Sequence, residues 1–110
     1  MAVPAPPKHL AASSKRLWRQ LVGDYDLSAE AHAIATLVLA LEAVDRGEQA
    51  RRQIATDGAY LPDRFGQLRA HPGIAVERDS RIAALRGFRE LSLDAEMIGE
   101  ARPPRVSRRA

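Results

Sequence analysis

The chain has 110 residues, five aromatic side chains and no cysteine, which fits one small domain whose core rests on Leu, Ile, Val and Ala. Without cysteine there is no disulfide framework, thiolate nucleophile or zinc–thiolate site. The net charge of +3 is unevenly placed: Lys8, Lys15, Arg16 and Arg19 precede the first acid, all fourteen acids and nine Arg occupy the middle, and Arg102, Arg105, Arg108 and Arg109 close the chain. An acidic middle between basic ends points to arms that meet a polyanion, with simple solubilising tails as the bland alternative.

Residues 1–12, with Pro4, Pro6 and Pro7, read as a flexible, extended N-terminal arm. They contain no basic segment followed by an apolar one, so no secretory signal is read there. Ser13 or Ser14 is the expected N-cap of a first helix. In it Leu17, Trp18, Leu21 and Val22 share one face, with Lys15, Arg16 and Arg19 mostly on the other. Trp18 could stack on bases beside Arg16 and Arg19, but it joins the apolar face, so core packing is the favoured reading. Gly23-Asp24-Tyr25-Asp26 breaks the helix.

Ser28 is the next expected cap, opening a helix from Ala29 to about Thr56, roughly 40 Å long at the standard rise. Its apolar line is Ile34, Leu37, Val38, Leu41, Val44 and Ile54, with Gly47 as a weak point. The first half is expected in the core and the second, Asp45–Arg52, against solvent or another subunit. The longest apolar stretch, Ala33–Leu41, is too short to cross a bilayer, and a soluble intracellular protein is expected. Asp57-Gly58 predicts a left-handed C-cap. The following Tyr60-Leu61-Pro62-Asp63-Arg64-Phe65-Gly66-Gln67-Leu68 predicts a small hairpin or structured loop, its aromatics either closing over the core or meeting a second subunit. Pro72 opens a third helix carrying Ile74, Ile82, Leu85, Phe88 and Leu91. A short helix over 94–100 and a basic tail from 101 to 110 follow.

The expected architecture is therefore mainly all-α: a helical hairpin of two long helices, a shorter N-terminal helix and a small insert near 59–70. The single helical domain spans 13–100. With so few aromatics, a chain this small leaves apolar surface uncovered, and oligomerisation is expected.

Chemistry-bearing residues are sparse. His9, His32 and His71 are separated and lack metal-ligand spacing; His71, before a proline, is expected to shape the entry to the third helix. Gly58 and Gly66 are followed by no Gly-Lys-Ser/Thr, so there is no phosphate-binding loop. No catalytic residue, cofactor or metal is expected. The DNA-binding candidates are Lys8, Lys15, Arg16, Arg19, Arg102, Arg105, Arg108 and Arg109, acting on phosphates without base readout.

His71-Pro72-Gly73 and the run Leu85-Arg86-Gly87-Phe88-Arg89-Glu90-Leu91-Ser92-Leu93-Asp94 resemble the C-terminal block of the P27-type phage terminase small subunits. There an Asn-Pro lead-in opens a helix that closes on a Leu-Gly-Leu-Thr-Pro-like motif. Here His71 stands for the Asn, Ser92 for the Gly, and Asp94-Ala95-Glu96 for the Thr-Pro and its followers. The resemblance runs in order from about Leu10 to Arg102, through a Trp-bearing helix, a long helix and Gly58 before a turn-rich insert. It implies a non-enzymatic, ring-forming homo-oligomer in the host cytoplasm that binds double-stranded viral DNA. Such a subunit recruits and regulates the large terminase subunit, which holds the ATPase and nuclease. Two other classes stay open: an oligomeric helical adaptor for an acidic protein, and a small helix-turn-helix regulator.

Overall fold

The computed structural model describes residues 4–25, 27 and 31–91; the expected cap Ser28, the helix expected over 94–100 and the basic tail fall outside them. The described elements are α1 (Ala12–Asp24), α2 (Ala31–Asp57), β1 (Tyr60–Pro62), β2 (Leu68–Ala70) and α3 (Gly73–Glu90). The chain is mainly helical, as its periodicities predict. A long α2–α3 hairpin carries a short antiparallel β-ribbon at its bend, and α1 lies on α2.

α1 buries Ser14, Trp18 and Val22, four residues apart and hence on one stripe. Trp18 and Val22 join Leu37 and Leu41 of α2, with Leu10, Leu27 and Ala33, in one cluster. Neither expected serine caps the helix. The N-cap is Ala11, with no side-chain cap of its own. The cap comes instead from Asp45 of α2, which accepts the Ala11 N–H at 2.8 Å and the Ser14 hydroxyl at 2.5 Å. A carboxylate there also complements the positive end of the helix dipole.

The N-terminal stretch, expected as a free arm, is pinned from Pro4 onward. The Trp18 indole N–H donates to the Pro4 carbonyl at 3.0 Å, and His9 Nε2 lies 2.7 Å from Glu42 Oε2. Leu10 is buried in the core cluster. Burying Leu10 and satisfying the indole donor offset the entropy of ordering these residues.

α3 runs antiparallel to α2, and the seam between them is built of small residues. A methyl group on Gly87 would meet Ala40 Cβ at 2.8 Å, one on Gly47 would meet Ser80 Cβ at 3.3 Å, and one on Gly73 would meet Ile54 Cγ1 at 3.4 Å. These close approaches recur every seven residues on both helices, two turns apart. Two expectations change. Gly47 is a close-approach position rather than a weak point, and Gly47 and Ala50 are buried under α3 instead of facing solvent or another subunit. On α3 the buried positions are Ser80 and Ala84, whereas Ile82 and Leu85, expected in the core, are 48% and 57% exposed. Large side chains on the seam would hold the helices apart, so close approach turns them to the flanks.

Gly58 (φ +92°) and Gly66 (φ +83°) take the left-handed region that only glycine adopts cheaply, the first ending α2 and the second closing the ribbon's turn. Asp63 organises that turn. Its N–H donates to Gln67 O and its carbonyl accepts from Gly66, while its carboxylate accepts the Phe65 and Gln67 N–H groups and Arg69 Nε.

His71 does shape the entry to α3. It is almost fully buried, and its Nδ1 accepts the Gly73 N–H at 2.8 Å. That leaves the proton on Nε2, which donates to the Asp57 carboxylate at 2.9 Å and so ties the start of α3 to the end of α2.

Candidate nucleic-acid interface

Because α1 buries the Ser14–Trp18–Val22 stripe, its other side faces solvent. Arg16 and Arg19 are exposed and Lys15 is half-buried. Spacings of three and four residues make Arg16, Lys15 and Arg19 neighbours on the helix surface. Lys8 is exposed in the turn before α1, held between the buried Leu10 and the Pro4–Trp18 hydrogen bond. Among the described residues none of these four cations has a carboxylate within ion-pair reach. Arg102, Arg105, Arg108 and Arg109, the other half of the sequence-derived set, lie outside the described residues.

Most arginines of the middle behave differently. Arg51 pairs with Glu48 and Glu77, Arg81 with Glu77, Arg52 with Glu48, Arg69 with Asp63 and Arg78 with Asp79. Arg46 donates to Ser80 Oγ, and Arg64 sits 5.3 Å over the Phe65 ring. The carboxylates record this pairing. Hydrogen bonds from Arg51 and then Arg81 hold Glu77 below the usual carboxylate range. Gln53 and then His71 do the same for Asp57. At Asp63 burial pushes upward, but hydrogen bonds from Arg69 and the turn's N–H groups outweigh it, and the net shift is down.

Arg86 and Arg89 near the end of α3 are the exceptions, exposed and without an ion pair among the described residues. Sequence reasoning passed over them because it counted the acidic middle as a block. A charge total does not say which cations are neutralised, and only the i,i+4 spacing of Glu77 with Arg81 hinted at the division.

Trp18 is 1% exposed with its N–H satisfied, which places it in the core and removes the base-stacking reading. No three His, Asp or Glu side chains among the described residues could hold a metal ion together. None of the described helices is long and apolar enough to cross a membrane. His9 and His71 are engaged in the pairings above. Two shallow grooves flank α2. One, of about 250 Å³, lies against the N-terminal turn and includes His9, Asp45, Glu48 and Arg52. The other, of about 220 Å³, lies between α2 and α3. Compared with protein-family models, curated proteins and solved structures, the chain matches none.

Proposed function

We propose that the chain is a phage terminase small subunit of the P27 type: a homo-oligomeric ring that binds double-stranded viral DNA and recruits and regulates the large terminase subunit. The observation that carries the DNA reading is the split between paired and unpaired cations. A phosphate meeting Arg51 or Arg81 must compete with a carboxylate already in place. A phosphate meeting Lys8, Lys15, Arg16 or Arg19 displaces only counterions, the main source of sequence-independent affinity. The tail cations Arg102, Arg105, Arg108 and Arg109 add to the same electrostatic term, and repetition around a ring multiplies it. The order of elements, with a Trp-bearing helix, a long helix, a hairpin insert and a helix entered through His71-Pro72, supports the family reading.

The test is binding of random and phage duplexes by fluorescence anisotropy across a salt series. The triple variant Lys15→Ala/Arg16→Ala/Arg19→Ala lowers the slope of log K against log salt by about 0.9 for each phosphate that these side chains neutralise, whereas Arg78→Ala, which removes a carboxylate-paired cation, leaves it unchanged. An unaltered slope in the triple variant removes α1 from the interface. The apolar outer face of the β-ribbon favours a second reading, an oligomeric adaptor for another protein, which predicts negligible DNA affinity at moderate salt with assembly intact.

A further inference from the structure

The β-ribbon presents a face with nothing over it. In its register Tyr60 pairs with Ala70 and Pro62 with Leu68, so these four side chains stand on one side, and all four are exposed. Leu61 points the other way and is half-buried. At the tip Phe65 is 76% exposed, with Tyr60 at 65% and Leu68 at 70%. Two of the chain's five aromatics therefore stand outside its own core. The Asp63 hydrogen bonds fix the turn, so the ring of Phe65 is offered on a preformed support, at little ordering cost to a partner.

A second uncovered apolar surface lies elsewhere. The α2–α3 groove has a floor of Val44, Gly47, Ala84, Leu85 and Phe88, with Leu85 57% exposed. Its volume of about 220 Å³ is ample for one phenyl ring. The rim charges, Glu48, Arg51, Glu77 and Arg81, already neutralise one another. A charged ligand gains little at such a site; an apolar knob fits it. Phe65 is not among the residues lining its own chain's groove.

We infer that the β-ribbon of one copy seats in the α2–α3 groove of the next, a head-to-tail contact that covers both apolar surfaces. The proposal rests on the homo-oligomeric part of the reading above and locates its interface. A contact between two different patches of one chain generates a ring when the rotation closes, whereas a ribbon-to-ribbon contact stops at two copies. Tyr60, Phe65 and Leu68 together offer roughly 400 Å². With the groove side, each contact buries about 800–1,000 Å², near the lower end of specific interfaces. Ring closure, in which each copy is held twice, supplies the remaining stability.

The test uses Phe65→Asp and Leu85→Asp in the full chain, both at exposed positions, with circular dichroism to confirm that the helices persist. Native mass is measured for the wild type, each variant and their equimolar mixture. The wild type is expected as a multi-copy assembly and each variant as a monomer. The mixture is expected as a one-to-one dimer, since Leu85→Asp keeps its ribbon and Phe65→Asp keeps its groove. A Leu85→Asp variant with wild-type mass, or a mixture that stays monomeric, overturns the inference, and so does a monomeric wild type. Anisotropy with duplex DNA on the same samples separates the two claims. Assembly without DNA binding sinks the terminase reading and leaves the contact standing. DNA binding by variants that keep wild-type mass sinks the contact alone.

Discussion

Replacing glycine by alanine should have opposite signs at two helical positions of this protein. Gly23, near the end of α1, has nothing within 4 Å of an added methyl, so Gly23→Ala should stabilise by about 0.5–1 kcal/mol through helix propensity. Gly87, in α3, carries the same propensity gain, but its methyl would lie 2.8 Å from Ala40 Cβ and 3.4 Å from Ala40 Cα. Ordinary carbon contacts sit at about 3.5–4.0 Å, so α2 and α3 must part by about 0.7–1 Å at this level. Ala40 has no flexible end to move aside, and the parting propagates to Gly47 and Ser80, two turns away. Overpacking of this kind costs about 1–3 kcal/mol. Less the propensity gain, Gly87→Ala should destabilise by about 1–2 kcal/mol, lowering Tm by roughly 4–8 °C per kcal/mol. Urea unfolding at one fixed protein concentration measures both variants. The double variant Gly87→Ala/Ala40→Gly removes the opposing methyl and should show a favourable coupling of about 1 kcal/mol or more. If Gly87→Ala stabilises as Gly23→Ala does, the close α2–α3 approach is wrong.

Other consequences follow from the capping and charge network. Asp45→Ala removes the acceptor for the Ala11 N–H and the Ser14 hydroxyl and should cost about 1–2 kcal/mol, the upper range for removal of a cap; a loss below about 0.3 kcal/mol in thermal unfolding would refute the tertiary cap. Asp57, Asp63 and Glu77 all titrate below their ordinary values. Their stabilisation is present above about pH 4 and is lost as pH falls through the folded-state values. Glu77→Gln should flatten this acid limb in a pH series of urea midpoints, and an unchanged limb would show that Glu77 is not held by Arg51 and Arg81. His71→Ala frees the Gly73 N–H and removes a buried partner of Asp57, and should destabilise by about 1–3 kcal/mol. His71→Asn, whose side-chain oxygen can accept from the same N–H, should recover part of that stability.

Features that depend on neighbours in sequence were legible before any fold was known. Gly58 and Gly66 mark left-handed turns, Pro72 and His71 mark the entry to α3, and the four-residue spacing of Ser14, Trp18 and Val22 marks the stripe that α1 buries. Each follows from local backbone sterics or from 3.6-residue periodicity. The DNA-binding candidates on α1 were legible for the same reason, since the buried stripe dictates which side of the helix remains for Lys15, Arg16 and Arg19. Only the tertiary structure decided that Asp45, thirty-one residues beyond Ser14, caps α1, that Leu10 and Pro4 are held on the body, and which arginines are neutralised. It also decided the α2–α3 seam. Apolar periodicity weights large side chains, and so favours Ile82 and Leu85. Close helix approach selects the smallest ones, so Gly47, Ser80, Ala84 and Gly87 fill the seam and the larger residues are left at its edge.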